Sequence, residues 1–350
     1  GIKVTVSGIT VGFVILSTGV SGLVNVNSFS LTRADGSALA GLSTAGISNI
    51  QIQVNTTRAA IAATIGSVSF NYNRPENLNF FAVWADLDLA ITTGGASATL
   101  TGRFGFAKSN LTINGVGTET DVIAVSLSNV STTLTIGTAP NGAQVALRNI
   151  TGSFLLVSGG AAGKLTVGSA TITKADGVTP LAGLSITVTN FTVALNTTNA
   201  GIKATIGGTS FDYTATTRYN FLELSGTLDL NLNKFITLSG NFGFQKSGTE
   251  IVVVASNVSA LLKLGSFEAG LDGGSLALLL KSSGAVAVQA SGSVHLQGTG
   301  FANATATSVK VQYNTTGIDF SGTPRTLTVG AVSADLGMGV FQRKIHVARG

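Results

Sequence analysis

The chain contains no cysteine, only two histidines and one tryptophan, and few charged residues. The absence of cysteine excludes disulfide bonds, thiolate catalysis and cysteine-based zinc sites. Charged residues make up 10% of the sequence, whereas a typical soluble domain has about a quarter. Ser, Thr, Asn and 45 glycines take their place. We therefore expect exposed faces that carry hydroxyl and amide side chains and suit close packing with neighbours.

Long apolar runs and clusters of basic residues are also missing. Hydrophobic residues reach 44%, but no uninterrupted run attains the roughly 18 residues that a transmembrane helix needs. The net charge is +5, yet the basic residues are scattered, and only Arg343 and Lys344 are adjacent. Binding to nucleic acid needs a basic patch or stripe. The sequence therefore predicts neither a transmembrane helix nor a nucleic-acid partner.

An internal repeat is the strongest feature that the chain does contain. The segment LTRADG at 31–36 reappears as ITKADG at 172–177. The same spacing relates SFNY at 69–72 to SFDY at 210–213. A long period repeated in series indicates one structural unit used again, and such units rarely carry a catalytic site in every copy. The repeat therefore indicates the architecture of the chain and gives little information about its chemistry.

The repeat divides the chain into four predicted segments. Asn129 and Asn257 lie in matching Ser-Asn-Val-Ser blocks that are closer together than the other matches, so the second unit is shorter than the first. Because the chain begins and ends out of phase with its own repeat, we expect it to be a piece of a longer polypeptide. The predicted segments are the end of a preceding repeat at 1–23, repeat unit 1 at 24–164, the shorter repeat unit 2 at 165–285, and the start of a third, partial unit at 286–350.

Strand signals dominate within each unit. Apolar residues alternate with polar ones in front of an Asn-Thr-Thr triplet that begins at Asn55, Asn196 and Asn314. Alternation of period two with one apolar face indicates a half-buried β-strand. The asparagine favours an Asx-turn that ends the strand. We expect strands of about 8 to 11 residues, longer than usual, and no long helix.

Turns and loops are expected at four places. Asp-Gly pairs at 35–36 and 176–177 favour tight turns, since Gly accepts a positive φ and Asp tolerates it. Differences in length between the two units place loops near 94–95 and near 115–120, because insertions and deletions collect in loops.

These patterns predict an all-β fold. We expect elongated tandem units that resemble antiparallel β-sandwiches or rolls, with long strands bent by bulges at mid-strand glycines. A β-solenoid is the alternative, although it needs a rung of roughly 20 residues, which the sequence does not show. Four phenylalanines are predicted core anchors at equivalent positions of two units, each pair on one strand face: Phe104, Phe106, Phe242 and Phe244.

Histidine and glycine motifs give no catalytic or nucleotide-binding signal. The two histidines, His295 and His346, have no paired spacing and belong to no HExxH motif. His295 lies in an alternating run, so we expect it to face solvent. The glycine-rich segments lack the third glycine and the following helix of a nucleotide-binding loop.

Paired carboxylates are the closest approach to a catalytic pattern. Asp86 and Asp88 share one face of a predicted strand, and Glu223 and Asp229 lie on the corresponding run. Glycosidases use two carboxyl groups at such separations. However, the counterpart of Asp86 is Thr227, so the second unit lacks the pair, and a solvated strand face is the favoured interpretation. We therefore predict no catalytic, cofactor-binding or metal-binding residue, no enzyme activity, and a stability that does not depend on metal.

Two further groups of residues have a plain structural explanation. The candidate residues for binding a glycan are Trp84, Tyr72 and Tyr213. The two tyrosines, however, are equivalent positions of the repeat, and we expect them to pack inside each unit. Sequons of the Asn-x-Ser/Thr type are numerous because Ser and Thr are frequent, and composition explains many of them. They begin at Asn55, Asn110, Asn129, Asn149, Asn190, Asn196, Asn257, Asn303 and Asn314.

Three segments carry a family resemblance: FITLSGNFGFQKS at 235–247, SNVS at 256–259 and VQYNTTG at 311–317. They resemble the adhesin-like or matrix repeats of very large bacterial secreted or surface proteins. The resemblance covers most of residues 24–330 and implies an extracellular or cell-surface location. Such repeats often lie beside calcium-binding repeats, which this chain lacks, and no functional residue is carried over.

The residues and the resemblance together favour a structural role. We expect a non-enzymatic repeat module of a bacterial extracellular fibre, stalk or matrix protein that self-associates through β-rich faces or edges. Its partners would be copies of itself or neighbouring repeats. The alternative is an adhesin module that binds a glycan or another cell-surface ligand.

Overall fold

The computed structural model shows an all-β, antiparallel fold, which confirms the predicted fold class. The chain forms two compact units, of which unit 1 comprises Gly1–Thr166 and Asn196–Tyr219, and unit 2 comprises Val167–Leu195 and Asn220–Gly350. The structure describes residues 2–37, 42–43, 47–74, 77–93, 96–113, 117–137, 142–157, 160–181, 184–232, 235–248, 250–298, 303–340 and 343–349.

The described strands follow one another along the chain, and a short 3-10 helix lies between two of them. The first nine are β1 (Ile2–Leu16), β2 (Gly19–Arg33), β3 (Leu42–Ser43), β4 (Ile47–Asn55), β5 (Ile61–Ile65), β6 (Val68–Tyr72), β7 (Phe80–Thr93), β8 (Ala96–Ile113) and β9 (Gly117–Ile136). The next eight are β10 (Ala143–Val157), β11 (Gly160–Lys174), β12 (Leu184–Asn196), β13 (Ile202–Ile206), β14 (Thr209–Tyr213), β15 (Phe221–Leu232), β16 (Ile236–Ser247) and β17 (Glu250–Leu264), with the 3-10 helix at Thr216–Arg218. The last six are β18 (Phe267–Lys281), β19 (Val286–Gln297), β20 (Ala304–Asn314), β21 (Arg325–Val329), β22 (Val332–Leu336) and β23 (Arg343–Arg349).

Each unit contains a meander of long antiparallel strands. In unit 1, β1 pairs with β2, and the pairing continues through β4, β7, β8, β9 and β10, with β3 also beside β7. In unit 2, the pairing runs from β15 through β16, β17, β18, β19 and β20 to β23. Three short hairpins interrupt the chain after β4, β12 and β20: β5–β6, β13–β14 and β21–β22.

Bulges allow the strands to be longer than expected. Most of the long strands exceed the predicted length, since β9 spans 20 residues and β8 spans 18. Asn129 in β9 and Asn257 in β17 have φ values of 51° and 53°, which asparagine tolerates better than most residues. Each lies at a shift in register against a neighbouring strand. A bulge bends a strand and lets it continue, where a regular strand would end.

The Asn-Thr-Thr triplets form the predicted Asx-turns and do more than end a strand. Asn196 is fully buried, and its Oδ1 accepts hydrogen bonds from the Thr198 amide at 3.0 Å and hydroxyl at 2.6 Å. Its Nδ2 donates to the carbonyl oxygens of Ala200 and Arg218, both at 2.9 Å. The side chain thereby joins the start of the hairpin segment to the residues just before β15. The same four bonds are made at Asn55 with Thr57, Ala59 and Asn77, and at Asn314 with Thr316, Ile318 and Gly339.

The first threonine of each triplet ties the strand end to an earlier strand. The hydroxyl of Thr197 accepts a hydrogen bond from the Ala161 amide at 2.9 Å, and its own amide donates to the Ala161 carbonyl at 2.8 Å. Thr56 makes this pair of bonds with Val20, and Thr315 makes it with Val286. All three residues of the motif are therefore used in the same way in each copy.

Hairpin β5–β6 packs on one face of β1, β2 and β7. The core beneath it consists of buried apolar residues. The hydroxyl of Tyr72 donates to the Gly22 carbonyl oxygen at 2.9 Å, and Tyr213 of the second hairpin makes the equivalent bond to Gly163 at 2.8 Å. Both tyrosines are buried, which confirms the prediction that they pack inside the fold. The core residues are Leu23, Val68, Phe70, Tyr72, Phe80 and Ala82.

The third hairpin, β21–β22, covers one face of β17 and β18 in unit 2. Its turn lies over β15, where Gly330 is close to Ser225, and Val329 lies against Gly243 of β16. Nearby, Gln312 donates to Gln289 at 2.8 Å and to the Gly337 carbonyl. The buried core contains Val252, Val254, Ala277, Leu279, Ala287, Phe320, Leu327, Val329, Val332, Leu336 and Met338.

The predicted phenylalanine anchors lie on the other face of the sheet. A Cβ at Gly105 would be 2.3 Å from Cε3 of Trp84, so the glycine, and not its neighbours, occupies the face that packs under a hairpin. Phe106 is 53% exposed, which makes its prediction as a core anchor wrong. Phe104, Phe242 and Phe244 are half-buried on that second face. Alternation of period two correctly placed each pair on one face, but on the face without a hairpin.

The predicted turns have mixed outcomes. The Asp-Gly turns are confirmed, because the amides of Gly36 and Gly177 donate to residues three positions earlier at 2.9 Å. The predicted loop at 94–95 and residues 115–116 of the predicted loop at 115–120 lie outside the described residues. The rest of that second loop is wrong, since β9 begins at Gly117. The repeat boundaries at 1–23, 24–164, 165–285 and 286–350 stay a prediction.

Candidate functional site

The carboxylates that resembled a catalytic pair have separate structural surroundings. Asp86 accepts a hydrogen bond from Asn49 at 2.7 Å and forms an ion pair with Arg103 at 3.1 Å. Asp88 is exposed. The Arg103 guanidinium also lies over the Trp84 ring, 5.9 Å from its centroid. Asp86 therefore positions the Arg103 guanidinium over the Trp84 ring, which is a structural role.

Glu223 and Asp229 are also kept apart by their surroundings. Glu223 is buried, and its Oε1 lies 3.7 Å from the position a Cβ would take at Gly330, in the turn of the third hairpin. Asp229 is exposed on the same strand. The expectation of a solvated strand face thus holds for Asp229 but is wrong for Glu223. A side chain beneath a hairpin is shielded from any substrate in solution.

His295 is partly exposed and belongs to a cluster of charged side chains. Its Nδ1 lies 2.9 Å from Asp272 and its Nε2 lies 3.4 Å from Glu268, and its side chain is 21% exposed. The Lys263 ammonium, 3.2 Å from Glu268, is the main cause that lowers the pKa of that carboxyl, with His295 contributing. The prediction of a solvent-facing histidine therefore holds only in part. The surroundings of His346 lie outside the described side chains.

The asparagines of the Asn-Thr-Thr triplets are unavailable for glycosylation in the folded chain. Asn55, Asn196 and Asn314 are fully buried, and each Nδ2 already donates two hydrogen bonds. Glycosylation would place a bulky polar group on that nitrogen. A structural role thus accounts for these three sequons.

The largest unexplained feature is an apolar sheet face that the hairpins leave uncovered. Residues directly opposite in antiparallel strands point to the same side of a sheet. In unit 1, Leu23 and Ala82 face the hairpin, so their strand neighbours point the other way. Two rows cross β1, β2, β4, β7, β8, β9 and β10 on that other side. They are Phe13, Gly22, Val54, Phe81, Lys108, Ile123 and Leu156, and Val11, Val24, Ile52, Val83, Phe106, Val125 and Phe154.

Unit 2 repeats this arrangement on β15 to β20. The rows are Leu222, Lys246, Ile251, Leu280 and Val286; then Leu224, Phe244, Val253, Leu278, Val288 and Tyr313; then Gly226, Phe242, Ala255, Leu276, Ala290 and Val311. Lys246 is their only charged member, and it corresponds to Lys108 of unit 1, since each lysine ends a Phe-Gly-Phe-x-Lys segment. We call these five rows the uncovered face.

Several side chains of the uncovered face are strongly exposed. Phe81 is 48% exposed in unit 1, and Tyr313 and Val311 are 43% and 42% exposed in unit 2. Isolated exposed apolar residues are ordinary, but contiguous apolar patches larger than a few hundred Å² mark binding surfaces. The continuous rows distinguish this face from scattered exposure. It is the surface most suited to an interaction.

Sequence patterns could not reveal this face, because it depends on the side on which the hairpins pack. Three positions with positive φ were also missed, although their spacing was a signal: Asn49, Asn190 and Ser308 each lie six residues before the asparagine of a triplet. The uncovered face requires knowing how the hairpins pack, whereas the fixed spacing to the triplets is visible in the sequence.

Searches for metal ligands and for relatives add no site. The described residues include no group of three or more His, Asp or Glu side chains placed to hold a metal ion. Within the same residues, no helix has the length and apolar character required to cross a membrane. Comparison of the chain with protein-family models, with curated proteins and with solved structures finds no match.

Proposed function

We propose that the chain is a non-enzymatic structural repeat module that self-associates through the uncovered face, as part of a bacterial extracellular or cell-surface fibre, stalk or matrix. The observation that carries the proposal is the recurrence of the same apolar rows in both units. A catalytic or ligand-specific surface would be expected once, whereas a surface used for assembly is useful in every repeat. The location rests on the family resemblance alone.

The energetics favour association between two such faces. Stable protein interfaces bury about 1,200–2,000 Å² in total, and each Å² of apolar surface removed from water contributes roughly 25 cal/mol. Three large aromatic side chains are exposed on this face: Phe81 and Phe106 in unit 1, and Tyr313 in unit 2. Aromatic residues of this kind dominate the energy of interfaces.

The observed surface favours assembly over the glycan-binding alternative. Tyr72 and Tyr213 are buried, and Trp84 is half-buried beside Gly105 with Arg103 over its ring. These were the aromatic candidates for stacking on a sugar. The uncovered face is mostly aliphatic and phenylalanine-rich, which suits contact with another apolar face.

Analytical ultracentrifugation over a wide concentration range tests the proposal, together with negative-stain imaging. We expect oligomers or fibres for the native chain and mainly monomers for a variant that combines Phe106→Glu with Tyr313→Glu. The matched control combines Asn71→Glu with Ser333→Glu, two exposed positions on the outer side of hairpins, and should assemble like the native chain. A native chain that stays monomeric as compact particles, or a face variant that assembles normally, would contradict the proposal.

A further inference from the structure

Unit 2 contains a recess in the uncovered face with a volume of about 310 Å³. Its lining comes from β16 to β20 and consists of apolar side chains and glycines, together with Ser275 and Ser291. The hydroxyls of these two serines bond to each other at 2.8 Å. The polar side chains of the lining are therefore already satisfied by one another, and the recess presents an apolar surface.

Smaller side chains at four lining positions distinguish the recess from the corresponding place in the preceding repeat. Counting back by the offsets of the matching strands pairs Ala255 with Leu127, Ala290 with Leu165, Gly292 with Val167, and Val309 with Phe191. One change goes the other way, since Leu276 replaces Gly152. In unit 1, Cδ1 of Leu165 lies 3.1 Å from the position a Cβ would take at Gly152, so Leu165 occupies that place.

Lys246 gives the three rows on β15 to β20 one positive charge on the same face as the recess. Phe242 lines the recess, and Lys246 is four residues farther along β16, so the two residues point to the same side. Four residues of an antiparallel strand span about 13 Å. Lys246 is exposed, and it is the one charged residue that the three rows contain on β15 to β20. An occupant with an apolar chain and one anionic end fits this arrangement.

We propose that the recess binds the hydrocarbon chain of a long-chain fatty acid, whose carboxylate pairs with Lys246. Pockets of roughly 300 to 1,000 Å³ with apolar linings hold small molecules of this kind. Each methylene taken out of water into such a site favours binding. The proposal goes beyond a structural role and concerns unit 2 alone, where the lining residues are small.

The backbone around the recess argues against a peptide as the occupant. The lining strands β17, β18 and β19 are hydrogen-bonded to neighbours on both sides. They offer no free backbone groups to which a peptide strand could be added. A peptide in the recess would bury its own amides without partners, which is unfavourable, whereas a hydrocarbon chain has no such groups.

Titration calorimetry with palmitate tests the proposal, with methyl palmitate as the neutral probe. We expect saturable binding of one palmitate, weakened at least about tenfold by Ala290→Leu, which restores the leucine of the preceding repeat. Lys246→Gln should weaken palmitate binding up to about fivefold, the usual range of an exposed ion pair, and leave methyl palmitate unaffected. Lys108→Gln changes the equivalent lysine of unit 1 and should have no effect.

Val311→Phe provides a second way to occlude the recess should Ala290→Leu fail to fold, because Val311 lies at the exposed rim. Absence of saturable palmitate binding, or binding unchanged in both occluding variants, would overturn the proposal. So would occluding variants that alter self-association while palmitate still binds, because a side chain of a second copy would then be the occupant. A monomeric chain that binds palmitate would instead refute the proposed self-association and leave the fatty-acid site standing.

Discussion

Replacing Asn196 by alanine is the sharpest test of how the repeats are held together. Asn196 is fully buried, donates to the carbonyls of Ala200 and Arg218, and accepts from the amide and hydroxyl of Thr198. A net contribution of about 1 kcal/mol for each of these four bonds, with about 1–3 kcal/mol for a buried group left unsatisfied, gives a loss of about 5–7 kcal/mol for Asn196→Ala. Such a value is large against the usual effect of a point mutation.

Urea unfolding measures the size of the loss, and hydrogen exchange shows where it falls. We expect faster exchange first in residues 197–220, because Asn196 joins the beginning of that segment to its end. Asn71→Ala is the matched control, since Asn71 is exposed on β6 of the first hairpin and should change stability by less than about 0.5 kcal/mol. Asn196→Asp should be at least as damaging as alanine, because it loses both donated bonds and adds a buried charge.

Two results would refute this reasoning. A free energy of unfolding within about 0.5 kcal/mol of the native value would mean that the buried amide contributes no more than a surface residue. Exchange that rises evenly over the whole chain would mean that the segment does not open by itself, so the turn would not be what holds it.

Two further substitutions test the assignment of faces and the buried tyrosine. Gly105→Ala should cost about 1–3 kcal/mol in thermal or urea unfolding, because its Cβ would overlap Trp84, whereas Phe106→Ala, one residue farther on the uncovered face, should cost less than about 1 kcal/mol. A larger loss of stability for Phe106→Ala than for Gly105→Ala would mean that the two faces are assigned the wrong way round. Burial raises the pKa of Tyr72 to about 12, whereas an unfolded tyrosine ionises near 10, so stability should fall as the pH rises through the range between these values. Tyr72→Phe should reduce that alkaline loss, and Tyr313→Phe, at an exposed position, should retain it.

Local chemistry made several features of the fold predictable from the sequence. Alternation of period two indicated strands, and the Asp-Gly pairs at 35–36 and 176–177 and the triplet asparagines form the turns that their side chains favour. These effects depend on residues within a few positions of each other. The bond from Asn55 to the distant Asn77 carbonyl follows from the position of the hairpin between them, which local chemistry does not determine.

The face on which each hairpin packs was beyond the reach of sequence patterns. The motif Phe-Gly-Phe at 104–106 has a glycine between two large rings, and large rings usually indicate a core. Here the glycine provides space for Trp84 and Ser126 on the hairpin side, and the rings lie on the other side. Both assignments agree equally well with alternation, because alternation defines two faces without saying which one is covered.

The strands on which the hairpins pack explain why one face stays uncovered in each unit. Hairpin β13–β14 follows β12 in the chain but packs on β9 and β10, where Ser153 donates to the Ile206 carbonyl at 2.6 Å. Hairpin β21–β22 follows β20 and packs on β17 and β18. Each of these hairpins thus packs on the strands numbered two and three before the strand that it follows. The opposite face of those strands stays uncovered. Further repeats of this design would add both a covered face and a new set of uncovered apolar rows. The uncovered area therefore grows with the number of repeats, and so does the free energy available for association through it.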